Sequence, residues 1–314
     1  MIRYVIKRLL LCIPVLICVT LLIFVLISFA PGDAVDAMGN QGLTAEQEAE
    51  LRAYYGLDQN VFVQYFNYMK KFITTGSLGE SISFKQEVAT LYLQRFPATM
   101  ALAGFAILIA LVIALPLGIY SALHVDSIGD NICTVAALLG VSVPGFWIGL
   151  LMIMLFSLKL GWLPAGEFNG LKSIIMPAFT CGIVFISALM RQTRSSMLDC
   201  LGSDYLRTAS SKGVPRKQVV MSHAFRNALI PIIATAGEQV AFLLGGSAVS
   251  EAVFNWPGVG RLLLKGINTM DTPLICGCVI MQTIMISVVM LIVDILFAFV
   301  DPRIKGKYAK GGKA

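Results

Sequence analysis

The sequence predicts an all-α integral membrane protein with six transmembrane helices and a helical insertion after the first. Three observations carry that reading. The 314-residue chain is 57% apolar and 13% charged, where a soluble chain is nearer a quarter charged, and its mean hydropathy is +0.80. The apolar residues fall in long runs. The basic residues gather in alternate connections between those runs.

The runs are Leu9–Ala30, Ala98–Leu123, Ile132–Leu158, Ile174–Met190, Ala228–Val249 and Cys276–Val300. A helix needs roughly 20 apolar residues to cross about 30 Å of hydrocarbon, so the fourth is the shortest. Backbone amides in lipid find partners only within their own segment, which makes each run a helix. The first follows Arg3, Lys7 and Arg8, is too long for a signal-peptide core, and has Pro31 after its small-residue site; it reads as an uncleaved anchor. The resulting organisation is residues 1–97 as anchor plus extracytoplasmic helical segment, 98–305 as the core with a loop over 199–228, and 306–314 as a basic tail.

Orientation follows from the positive-inside rule. Basic residues precede the first run, gather between the fourth and fifth (Arg191, Arg194, Arg207, Lys212, Arg216, Lys217, Arg226), and follow the sixth (Arg303, Lys305, Lys307, Lys310, Lys313). Both termini are therefore expected in the cytoplasm, with an even number of spans. The net charge of +6 reports topology, not nucleic-acid binding. The seven cysteines are scattered without a Cys-x-x-Cys pair, which favours packing over metal or disulfide roles.

Within the insertion, Thr44-x-x-Gln47 reads as a capping box opening a helix over Ala45–Tyr55 that stops at Gly56. A second helix over Val61–Thr74 stops near Gly76 and Gly79. Its aromatics Phe62, Tyr65, Phe66 and Tyr68 suit either interfacial anchoring or a partner. Small residues at four-residue spacing (Ala110, Ala114, Gly118; Gly145, Gly149; Gly237, Ala241, Gly245) permit close helix approach. Pro116, Pro144 and Pro231 should kink or terminate helices.

The loop over 199–228 is the most informative segment. Ser203 can cap a short helix carrying Asp204 in its first turn. That helix continues through Tyr205, Arg207, Thr208 and Ala209 and should stop at Gly213, after Lys212. Pro215 suits the first turn of a second helix through Arg216, Lys217, Val219 and Phe225 toward Pro231. The product is a helix–turn–helix outside the bilayer.

Here the chain resembles a known family. Asp204-Tyr-Leu-Arg-Thr-Ala-Ser-Ser-Lys-Gly213 followed by His223-Ala-Phe-Arg-Asn-Ala-Leu-Ile-Pro231 resembles the coupling motif of ABC importer permeases of the dipeptide, oligopeptide and nickel group. Ala30-Pro-Gly-Asp33, Ser142-Val-Pro-Gly-Phe-Trp147, Leu160-Gly-Trp-Leu-Pro164, Glu251-x-Val-Phe-Asn-Trp-Pro-Gly-Val-Gly-Arg261 and Asp301-Pro-Arg303 extend the resemblance along nearly the whole chain. The broader importer pattern opens with Glu-Ala-Ala and closes with Ile-x-Leu-Pro; here Arg207-Thr208-Ala209 and His223-x-Phe225-Arg226 stand at those places, as in the peptide group.

The resemblance implies an ABC importer permease core forming half of a translocation pathway. It implies a second homologous permease subunit as heterodimer partner, two ABC ATPase subunits, an extracytoplasmic substrate-binding protein, and surrounding membrane lipid. The segment Asp204–Gly213, with Arg207, Lys212, Arg216 and Lys217 as basic contacts, would meet the ATPase; each of those side chains serves equally to enforce topology. ATP is hydrolysed by the partners, and no cofactor is bound directly: the chain has no Gly-x-x-x-x-Gly-Lys-Ser/Thr loop, no His-Glu-x-x-His and no nucleophile elbow. An enzyme is not expected.

Intramembrane polar residues mark pathway candidates: Glu238 and Gln239 in the fifth run and Gln282 in the sixth. Glu238 lines the pathway, is protonated, or bonds to a neighbouring helix. Asp294 is placed to pair with Arg303 or with a partner helix. Peptides are the implied cargo, with nickel chelates, glutathione and opines as alternatives. A secondary transporter would share the intramembrane acids but has no need of the 199–228 loop.

Overall fold

The computed structural model describes residues 2–39, 44–166, 168 and 170–300. The helices in chain order are α1 (Ile2–Ser28), α2 (Ala34–Gly39), α3 (Ala45–Tyr55), α4 (Val61–Thr75), α5 (Val88–Leu123), α6 (Ile128–Ser142), α7 (Gly145–Met152), α8 (Leu171–Leu201), α9 (Asp204–Ser211), α10 (Arg216–Gln218), α11 (Phe225–Gly246), α12 (Ala248–Val253), α13 (Val259–Asn268) and α14 (Thr272–Val300). Two π-helical stretches, Ile153–Lys159 and Val219–Ala224, prolong α7 and α10. The chain divides into one unit of residues 1–99 and 257–288 and another of residues 100–256 and 289–314.

In the first unit the insertion folds as its sequence dictates. The Thr44–Gln47 capping box forms, and α3 ends at Gly56 with φ +68°. Asn60 caps α4, which ends at Gly76 with φ +69°. The α4 aromatics divide between two faces. Tyr65 and Tyr68 pack on Phe24 of α1 with ring centroids 5.5 and 5.6 Å apart, and the Tyr65 hydroxyl donates to the Ile17 carbonyl at 3.0 Å. Phe62 and Phe66 remain exposed. Arg52 ties α3 to the start of α2, donating to Asp33 at 2.8 Å and also to Asp36. The core of this unit gathers Leu78, Val88, Leu91, Tyr92, Leu262, Leu274 and Cys278. Buried Asp271 accepts from the Ser81 hydroxyl (2.7 Å) and the backbone N–H groups of Ser83 (2.8 Å) and Leu274 (3.1 Å).

In the second unit α8 is the central helix, packed by α6, α7 and α11. Of its apolar window 61% is buried within the chain, against 33% or less for the other four candidate spans. Its apolar run stops at Met190 because Arg191 follows, and Thr180, Gly182, Ser187 and Thr193 along the helix are buried against neighbours. A Cβ on Gly182 would lie 3.1 Å from the Ala106 carbonyl oxygen, and one on Gly118 would meet Thr193 Cβ at 2.6 Å. Small residues thus let α5 and α8 approach closely, as membrane helices without a hydrophobic drive between them require. Ala110 and Ala114 complete the buried α5 stripe. The Gly145–Gly149 pair meets α8 at Thr180, whereas Gly237 is buried and Gly245 exposed.

Several boundaries differ from the sequence reading. Helix α5 begins at Val88, ahead of the expected Ala98, because the turns before the apolar run pack into the first unit's core through Val88, Leu91 and Tyr92. The third run is not a straight helix: α6 and the α7 segment meet at 103° across a break of Val143 and Pro144, since proline lacks the N–H that continues a helix. Among the described residues five helices are long and apolar enough to cross a membrane, six if the bent pair is one span. Pro116 and Pro231 end nothing, and α5 and α11 run on through them.

Candidate coupling site

The segment between α8 and α11 carries the site. Helix α8 closes at Leu201, and the Gly202 N–H bonds the Leu198 carbonyl at 3.1 Å. Helix α9 then spans Asp204–Ser211, with Leu206 its one buried residue. Ser203 occupies the cap position without capping; its hydroxyl turns back to the Cys200 carbonyl. Lys212 ends α9, and Gly213 takes φ +81° with open space where a Cβ would stand. That conformation suits glycine on backbone grounds alone. Pro215 sits one residue before α10, as its N-cap, and the chain continues through the π-helical stretch into α11.

The predicted contact residues are presented outward. Asp204, Tyr205, Arg207, Thr208, Lys212, Gly213, Arg216 and Lys217 are exposed, and Ala209 is half-buried. Arg207 and Asp204 lie 4.0 Å apart, with 79% and 99% of their side chains open to solvent, so their attraction is worth little. The Tyr205 hydroxyl accepts from Asn227 Nδ2 at 3.2 Å, joining α9 to α11. Beneath α9 lies a cavity of about 690 Å³ walled by Leu123, Leu201, Leu206, Val214 and Val220.

A clamp that the sequence did not disclose sits in the same unit. Arg194 on α8 donates to both carboxylate oxygens of Asp130 at the start of α6, each at 2.8 Å, and to Ser121 on α5 at 3.1 Å. Asp130 is buried, and it also accepts from Ser121 and from the Asp126 backbone at 3.1 Å. Three helices are therefore pinned through one guanidinium. Arg194 counted in the sequence only as one of a basic cluster; its partner lies 64 residues away, a separation that carries no local pattern.

The pathway candidates fall in different units of the chain. Glu238 is exposed on α11, with no hydrogen bond or ion pair among the described residues, and Gln239 beside it is half-buried. Gln282 belongs to the first unit, where its Oε1 accepts from the buried Tyr92 hydroxyl at 2.7 Å. Glu238 shares its face of α11 with exposed Asn227, Ala234 and Phe242. The Glu251 motif is structural: Glu251, Phe254 and Trp256 are buried, Ser247 donates to Glu251 Oε1 at 2.9 Å, and Phe168 meets Trp256 edge-on at 5.2 Å. His124 bonds the Tyr120 carbonyl at 3.0 Å, a local partner. Arg303, expected to pair with Asp294, and the 306–314 tail lie outside the described residues.

Comparison with known proteins fixes the family. Residues 114–306 match the binding-protein-dependent transport system inner membrane component, and residues 1–103 match its N-terminal companion. The chain is 37% identical to the oligopeptide transport system permease protein AppB of Bacillus subtilis, over 97% of this chain and 100% of that one. It is 37% identical to the glutathione transport system permease protein GsiC of Salmonella typhimurium (98% and 100%) and 35% identical to the dipeptide transport system permease protein DppB of Escherichia coli (98% and 100%). A chain of the MetNI methionine ABC transporter superposes with TM-score 0.55 at 16% identity, covering 67% of this chain and 96% of that one, which shows a shared fold. With family models covering both its anchor and its core, the chain belongs to the inner-membrane permease components of binding-protein-dependent transport systems, transport proteins and not enzymes.

Proposed function

We propose that this permease is one of two homologous subunits that together line the pathway of an ATP-driven importer of di- and oligopeptides. The observation that carries the reading is α9: a short, outward-facing helix held between α8 and α11 by Gly213 and by the Tyr205–Asn227 bond. In this reading both termini are cytoplasmic, and α9 with Arg207, Lys212, Arg216 and Lys217 meets one of two ABC ATPase subunits. ATP is bound and hydrolysed there. An extracytoplasmic binding protein delivers the cargo. Peptides are favoured over nickel chelates or opines because the relatives named above are dipeptide, oligopeptide and glutathione permeases.

Closure of the ATPases on nucleotide would displace α9, and the cavity beneath it gives that displacement room. Nucleotide can drive the switch only if contacts at α9 differ between the inward- and outward-facing states. Packed helix interfaces respond by switching between discrete arrangements, not by yielding gradually. The test is transport of labelled dialanine into vesicles holding the complete complex and binding protein. Uptake should require ATP and every subunit. Vesicles with this chain alone that accumulate the dipeptide would overturn the reading.

A further inference from the structure

The first unit contains a cavity of about 540 Å³ between α3, α4 and the loop that follows them, within the size range of small-molecule sites. Two opposite charges line it, Lys71 on α4 and Glu80 in the loop. Both side chains are exposed, and neither enters an ion pair or side-chain hydrogen bond among the described residues. Opposite charges that share a cavity without closing on each other complement a molecule carrying one of each.

The wall between them offers amide chemistry. Asn67 Nδ2 donates to Gln59 Oε1 at 3.2 Å, which leaves the Gln59 amide nitrogen and the Asn67 oxygen without partners among the described residues: one donor and one acceptor, as a peptide bond needs. Tyr54 and Tyr55, edge-on with centroids 5.1 Å apart, supply an aromatic surface. Tyr55 and Glu80 line the same cavity; partial burial pushes the Tyr55 phenol up, and the Glu80 charge adds to the shift.

We infer that this cavity binds a short peptide with free termini, Glu80 taking the α-ammonium and Lys71 the α-carboxylate. The inference rests on the importer reading for its cargo class. It adds a peptide site on the permease itself, apart from α9 and Glu238.

The test uses the complete complex in lipid nanodiscs without binding protein, titrated with trialanine, N-acetyl-trialanine and trialanine amide by saturation-transfer NMR. Each cap should weaken binding by up to about fivefold, the ceiling for one exposed ion pair. Glu80→Gln should abolish the acetyl penalty and keep the amide penalty; Lys71→Gln should do the reverse. Both positions are exposed, so folding is undisturbed, and ATP-dependent dialanine uptake with binding protein checks the assembly. If wild type tolerates both caps, or each variant loses both penalties together, the site is overturned. Variants that weaken only docking of the binding protein also overturn it. In each of those cases dialanine uptake by wild type leaves the importer reading standing, whereas absence of any peptide binding or uptake overturns both.

Discussion

Asp130 is buried with both carboxylate oxygens committed to Arg194, and removing one member of such a pair leaves the other charge stranded away from water. Arg194→Met should therefore destabilise the protein by roughly 3 kcal/mol, the low end for breaking a buried pair, because 28% of the arginine side chain is still open to solvent. Asp130→Asn with Arg194→Met should recover much of that loss, because no uncompensated carboxylate then remains. Thermal unfolding of the purified complex checks both, and an additive double variant would show that the clamp is not a coupled pair. Neither residue could be paired from the sequence, since Asp130 lies between two apolar runs and Arg194 sits among many cations. Glu238 is conspicuous in the sequence as an acid inside an apolar run, and the structure leaves it exposed without a partner among the described residues.

Single helices were read best where their ends are set by local chemistry. The Thr44–Gln47 box and the glycines at 56 and 76 fix α3 and α4 through bonds within a few residues, and such bonds leave a pattern in the chain. Helix α8 was read short, because its length depends on burial against α5, α6 and α11, and buried membrane helices carry small and polar residues where lipid-facing ones carry leucine. At α9, Gly213→Val should insert normally but lose transport-coupled ATP hydrolysis, while Gly213→Asn should keep more of it, since asparagine tolerates positive φ better than a β-branched residue. Equal ATPase coupling in both variants would detach the turn from function. Helices α2 and α3 should respond to acid. Partial burial pushes the Asp33 carboxyl up, but the Asp36 N–H and the bond and charge of Arg52 outweigh it and hold the group below its usual range. A carboxylate depressed on folding stabilises above its unfolded pKa of about 4 and loses that contribution as pH falls through the lower folded value. Hydrogen exchange, corrected for intrinsic rate, should show Val35 and Asp36 protected at pH 6 and less so at pH 3. Asp33→Asn should remove the difference.

At the scale of the whole molecule, α11 separates two tasks. One face packs on α8, while the opposite face exposes Ala234, Glu238 and Phe242. An exposed acid in the middle of a membrane helix is costly against lipid and tolerable beside water or a polar partner, and the proposed importer offers this face two such settings, the pathway or the second subunit. The two placements differ in access to water. With the seven native cysteines replaced, Glu238→Cys in the assembled complex should react with a charged, membrane-impermeant thiol reagent, and its rate should change several-fold when a nucleotide traps the ATPases closed. Phe242→Cys, one turn along the same face, should follow the same trend. Leu243→Cys, buried on the packed face, should stay inert in both states. A Glu238→Cys protein that is unreactive in both nucleotide states, yet whose complex still carries dialanine, would take α11 out of the aqueous route and leave its carboxylate to a subunit interface.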